Sequence, residues 1–249
     1  MSALALGCIS ASAQQKLTLS TYKGTDLTEY SGKKVNVSVS RHLYSGWNTL
    51  SLPFSMSEAE VNEAFGNDCR LEKLVGVEKD GMGVKLNFQD CKAEGLKANT
   101  PYILHYTGEN GTKRIASEEA LISAGPASVS FTAEGTGETV TMAAAQQKTD
   151  ATGLYGILAR DNAEANFVSV DNIPNGFYAT RCYVKLSGGN ATLLSTNHID
   201  ASEVTSIATV AQPGERVEVF NLSGVKVADN TDGLQKGIYV VKGKKVMVK

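Results

Sequence analysis

The sequence predicts an all-β fold: an antiparallel β-sandwich body, built from two packed β portions, with one short helix and a small C-terminal β module. Three observations carry that expectation. Short runs alternate apolar and polar residues, the period of a half-buried strand. Gly, Asn, Asp and Ser clusters separate the runs at turn-like intervals, often enough for a sandwich or barrel. Only one segment, beginning at Ser57, carries a strong helix-start signal.

In chain order the predicted strands are 35–40, 47–52, a hairpin over 71–88, then 102–106, 127–132, 140–144, 153–158, 167–170, 179–186 and 192–194. In the hairpin, Leu71, Leu74, Val75 and Val77 face Val84, Leu86 and Phe88 across Lys79-Asp80-Gly81-Met82, an Asp-Gly turn signal. Folding about Asp80 sets Cys69 opposite Cys91. In an oxidising compartment that placement predicts a Cys69–Cys91 disulfide, stabilising by about 3 kcal/mol on the chain-entropy view. The alternative is a pair of buried apolar thiols. Cys182, beside Tyr183, Val184 and Leu186, reads as a core thiol on a strand.

Ser57-Glu58-Ala59-Glu60 has the form of a capping box, in which the Ser hydroxyl and the Glu carboxylate satisfy free amide donors. Val61, Ala64 and Phe65 then make an apolar stripe that Gly66 ends, so this short helix should lie on a sheet. Glu58, Glu60 and Glu63 suit the positive end of the helix dipole better than acid–base work. Gly108-Glu109-Asn110-Gly111 breaks the first strand-rich block, and 201–215, with Pro213-Gly214, reads as a linker. The expected division is a leader over 1–13, an N-terminal β domain over 14–108, a second β portion over 109–203 and a C-terminal module over 204–249.

The 249 residues carry a net charge of only −2, which does not point to a nucleic-acid partner. No run approaches the ~18 apolar residues that a membrane helix requires. At the start, Ala3 to Ile9 is apolar and Ser10-Ala11-Ser12-Ala13 offers small residues at a cleavage position, which predicts a signal peptide cut after Ala13. Ala5-Leu6-Gly7-Cys8 supports a second reading, a lipobox with Cys8 acylated. Both send the protein out of the cytoplasm, to the extracellular space or the outer cell surface.

The last segment runs from Val217 through Asn221-Leu222-Ser223-Gly224 to Val227, then through Gly237-Ile238-Tyr239 to Lys245-Val246-Met247-Val248-Lys249. It resembles the C-terminal sorting domain of Bacteroidetes type IX secretion cargo. Asn221 and Gly224 match that domain's Asn-x-x-Gly turn, Gly237, Ile238 and Tyr239 its third strand, and Lys245 to Lys249 its terminal strand. The resemblance implies export machinery or a cell-surface component as partner. Leu222, Val225, Val227, Ile238, Val240 and Val246 are the expected apolar face, and the lysines near the end suit an acidic receptor. Gly46-Trp47-Asn48-Thr49-Leu50-Ser51-Leu52-Pro53-Phe54, with Asn99-Thr100-Pro101-Tyr102 and Gly176-Phe177-Tyr178, is similar to a domain of secreted Bacteroides and Prevotella proteins. That second resemblance implies a surface setting and no particular chemistry.

Chemistry-bearing motifs are sparse. His42, His105 and His198 stand alone, away from metal-ligand spacing, and no nucleophile elbow, P-loop or dinucleotide fingerprint occurs. No cofactor is expected, and no catalytic residue is assigned. Binding, adhesion or assembly is the predicted role, with a glycan or a protein as ligand. A secreted hydrolase using a carboxylate pair is the rival from another class. Trp47, the only Trp, is the candidate glycan contact, since it alternates with Thr49 and Ser51 on the face opposite Leu50 and Leu52. The competing reading packs it under the Ser57 helix or Tyr44.

Overall fold

The computed structural model describes residues 15–125, 128–157, 165–171, 173, 175–189, 191, 193–201, 204–206, 218–230, 233–241 and 244–248. The expected leader over 1–13, with Cys8, lies outside the described residues, as does Lys249. The fold is all-β, with a single α-helix among the described residues. The strands among the described residues make four sheets.

The central sheet orders five strands as β13-β5-β4-β6-β3. These are β3 (Gly46–Leu50), β4 (Arg70–Asp80), β5 (Gly83–Asp90), β6 (Tyr102–Tyr106) and β13 (Leu194–Ile199). Both faces are covered, which is why alternate residues on both sides of β3 and β6 are apolar or buried. On one face Leu50, Leu71, Tyr102 and Leu104 pack with Val35, Val37, Val39 and Ile115. Those come from a three-stranded sheet of β1 (Lys16–Leu19), β2 (Lys34–Leu43) and β7 (Gly111–Leu121). On the other face Leu74, Leu86, Phe88 and Ile103 pack with Val140, Met142, Phe167 and Val184. These belong to a sheet ordered β11-β10-β12-β9-β8, comprising β8 (Ser128–Thr132), β9 (Thr139–Ala144), β10 (Leu154–Ile157), β11 (Phe167–Ser169) and β12 (Cys182–Ser187). The body is therefore a three-layer β stack.

The helix α1 (Glu58–Phe65) forms as its capping box directs: Glu60 N donates to Ser57 Oγ, and Ser57 N donates to Glu60 Oε2 at 2.8 Å. Val61 and Phe65 are buried in the first core, Ala64 partly so, and Glu60 Oε1 accepts from Ser117 of β7 at 2.7 Å. One cap thus fixes both the helix and its contact with the outer sheet.

The proposed boundary at 108/109 cuts through a sheet. β7, beyond that boundary, pairs antiparallel with β2, and β13 pairs parallel with β5. The two portions interlock because the strands that finish each layer arrive late in the chain. The sheets are mainly antiparallel, yet β1 and β13 add in parallel at edges, which requires long crossovers and not hairpins.

The hairpin register also differs from expectation. The two-residue loop is Gly81-Met82, with Asp80 paired to Gly83 and Gly81 at φ +59, so the turn sits one residue later than an Asp-Gly loop. Between Leu74 and Gly76 a bulge then places an extra residue, Val75, on β4. The late turn carries Cys91 away from Cys69, the bulge returns it by one residue, and Cys91 ends opposite Leu71, whose carbonyl accepts from Cys91 N at 2.8 Å. The expected Cys69–Cys91 disulfide is not formed: both thiols are free and buried in the first core, and Cys182 is buried in the second. Burial raises all three, Cys91 and Cys182 to about 12, which suppresses the reactive thiolate. Cys69, Cys91 and Cys182 are expected to react with a thiol reagent only after denaturation. Labelling of the native protein, or two of them staying unreactive when it is unfolded without reductant, would contradict this arrangement.

Candidate functional site

The chemistry-bearing side chains of the body gather on the face of the central sheet that looks toward the third layer. Arg70 and Glu72, two apart on β4, point the same way, and the Arg70 Nε donates to Glu72 Oε1 at 2.8 Å. Glu72 is fully buried, and its Oε2 lies 2.6 Å from His198 Nδ1 of β13. An ionised carboxylate only accepts, so Nδ1 is the donor. Arg70 Nη1 reaches on to Asp200 at 2.8 Å. The result is a connected polar chain, Asp200–Arg70–Glu72–His198.

Trp47 closes this network from the opposite edge strand. Its ring stacks on His198 with centroids 4.5 Å apart at 17°, and meets His105 edge-on at 4.9 Å. In a flat five-stranded sheet β3 and β13 would stand about 19 Å apart. Two ring side chains do not bridge that span, so the sheet curls around this face. Trp47 is 5 % exposed and belongs to the second core, which removes it as a glycan-stacking residue. It is covered by histidines, not by the Ser57 helix or Tyr44.

A carboxylate orienting an imidazole is half of an acid–base device. The other half would be a nucleophile at His198 Nε2, but that atom is buried and has no hydrogen-bond partner among the described residues. The two carboxylates of this network, Glu72 and Asp200, are joined through Arg70. Among the described residues no group of His, Cys, Asp and Glu is arranged to hold a metal ion. No helix among them is long and apolar enough to cross a membrane.

His105 adds a pH dependence. Burial first, and the Arg70 charge after it, hold His105 below the usual histidine value. The unfolded chain then binds the proton more tightly, so the contribution of His105 is intact above about pH 6.5 and is lost as pH falls through the lower folded value. His105→Asn is expected to flatten this decline: its urea midpoint should fall less between pH 7 and pH 5 than that of the unaltered protein. An equal fall in both would remove His105 from the acid response.

The C-terminal residues form a second assembly. β14 (Val204–Ser206), β15 (Val219–Phe220), β16 (Lys226–Ala228), β17 (Gly237–Val241) and β18 (Lys244–Val248) make one sheet ordered β14-β18-β17-β15-β16. Asn221 and Gly224 build the turn between β15 and β16. Gly224 N donates to Asn221 O at 3.0 Å, Val225 N donates to the Asn221 side chain at 2.9 Å, and Gly224 takes φ +79. Gly237, Ile238 and Tyr239 lie in β17, and Lys245 in β18 pairs with Val240. Tyr239 donates its hydroxyl to Gln235 O at 2.9 Å.

The module has two working faces and not the single apolar face expected. Val219, Val241 and Val246 form its own small core, with Tyr239 against them. Ile238 and Leu222 point the other way, onto Val75 and Ile199 of the body. The bulged Val75 is the residue that receives the module. Val225 and Val227, expected in the face, are 58 % and 37 % exposed near the edge strand β16. Beside the contact runs a groove of about 700 Å³, lined on the body side by Glu78, Phe131 and Glu134 and on the module side by Leu222, Gln235 and Tyr239. Ser223 donates to Glu78 across its end at 3.2 Å.

Compared with protein-family models, with curated proteins and with solved structures, the chain matches none.

Proposed function

We propose that this chain is an exported protein of the extracellular space or outer cell surface that acts by binding, in adhesion or assembly, without catalysis. The module from Val204 to Lys249 serves export or attachment, its partner being export machinery or a surface component. The observation that most supports this reading is the construction of the module: a sheet with its own core, resting on the body through the small apolar patch of Val75, Ile199, Leu222 and Ile238. A unit joined in that way can present a receptor-facing surface without disturbing the layers beneath it. The enclosure of the Glu72–His198 pair speaks for a structural use of the polar residues that most resemble catalytic ones. The apolar run at 3–9 and the small residues before Gln14 supply the export signal.

The test is to fractionate cells that make the protein natively and to map both ends of the mature chain by mass spectrometry. The expected result is recovery from the medium or the outer surface, beginning at Gln14 or at an acylated Cys8. Recovery from the cytoplasm, with the chain intact from Met1 to Lys249, would overturn the proposal.

A further inference from the structure

Two arginines of the body lack the carboxylate partners that buried cations normally keep. Arg41 reaches inward from β2 and is 2 % exposed. Its Nη1 donates to the Thr180 carbonyl and its Nη2 to the Thr49 carbonyl, while Nε is buried without a partner. Arg181 follows Thr180 and is partly exposed. A turn holds it beside Tyr178, with Arg181 N donating to the Tyr178 carbonyl at 3.4 Å, and the bond from Arg41 to the Thr180 carbonyl brings Arg41 to the same segment. Among the described residues neither arginine is in an ion pair. Burial lowers both guanidinium groups, Arg41 to about 9, and a guanidinium keeps its proton in a protein at neutral pH. Holding two such charges near each other is costly unless an anion offsets them.

Aromatic surface continues outward from Arg181. Tyr178 is half-buried and its ring lies 5.1 Å from that of Tyr22, which is 53 % exposed. Lys148 holds its ammonium 5.9 Å from the centre of the Tyr22 ring. Phenol rings offer apolar faces beside hydroxyls, as a sugar ring requires, and a guanidinium matches the two oxygens of a carboxylate or sulfate.

We propose that Arg181, with Tyr178, Tyr22 and Lys148 around it and Arg41 behind it, forms a binding site for an acidic oligosaccharide. The anionic group seats on Arg181, and the sugar rings run over Tyr178 and Tyr22. The proposal rests on the binding reading above and names the ligand class. It is measured on purified protein, so its failure is distinguishable from a failure of the export assignment, which the mapped termini report.

The experiment is calorimetric titration of the full chain with a galacturonate tetramer, a sulfated heparin tetrasaccharide, neutral maltotetraose, a tetra-aspartate peptide and a short single-stranded oligonucleotide. One or both acidic saccharides should bind, the carboxylate and sulfate arms telling which anion is preferred, and maltotetraose should bind at least tenfold more weakly. Arg181→Gln and Tyr178→Ala should each weaken binding about tenfold or more, with the folded spectrum retained. Should either variant fail to fold, Tyr22→Ala, on the exposed ring, takes its place with an expected severalfold loss. No binding of either acidic saccharide, binding unaffected by the variants, or equal binding of the peptide or oligonucleotide would overturn the assignment.

Discussion

Replacing Glu72 by alanine is expected to lower stability by about 3–5 kcal/mol, because it strips the shared partner from two groups at once. Arg70 would lose the carboxylate that its Nε bonds at 2.8 Å, and His198 the one at 2.6 Å. The charge removed is itself fully buried, so water does not take over its role. Urea denaturation of Glu72→Ala against the unaltered chain measures the loss. Pairing it with His198→Ala in a double-mutant cycle should give a coupling of about 1–3 kcal/mol. A loss under 1 kcal/mol would mean that the network contributes little beyond ordinary surface pairs.

Trp47→Ala should cost a similar amount, about 3–5 kcal/mol, through a cavity between the central sheet and the third layer. For a chain of this size that corresponds to a fall of roughly 10 °C in midpoint temperature, followed by circular dichroism. As the only Trp, Trp47 also reports on its surroundings. Its emission in the folded protein should be that of a ring shielded from water and should shift to longer wavelength only in the global transition. Native emission typical of a hydrated indole, or a variant as stable as the parent, would return Trp47 to the surface.

Local chemistry was legible in the sequence. Ser57 and Glu60 announce their helix because a capping box is completed within four residues. The Asn221–Gly224 turn is equally self-contained. Strands such as Tyr102–Tyr106 and Thr139–Ala144 carry enough apolar alternation to be read directly. β7 was missed because its inward positions hold only Ile115, Ser117 and Ala120 among charged residues, and because Glu119, at φ +51, sits where the ladder is irregular. The disulfide failed on register, a quantity that one late turn and one bulge at Val75 change without altering composition. The stacking of His198 on Trp47 was illegible for another reason: β3 and β13 lie at opposite ends of the sheet order, and only the curl of the sheet brings their side chains together. The Arg41–Arg181 pair likewise depends on a meeting of distant segments, with only the absence of a neighbouring acidic residue at Arg181 as a sequence hint.

The parallel seating of β13 against β5 sets a condition on how the molecule is made. Strand β5 is complete at Asp90, but its outer neighbour ends at Ile199, so the third layer must be synthesised before that edge is sealed. Nascent chains shorter than this carry an open ladder, and those that end before the third layer is complete at Ser187 also leave Leu86 and Phe88 uncovered, surfaces that favour association with other chains. Pairings of such long sequence separation also slow the search for the native state. The central sheet is therefore completed only after Ile199 has been made, well behind the four strands it joins.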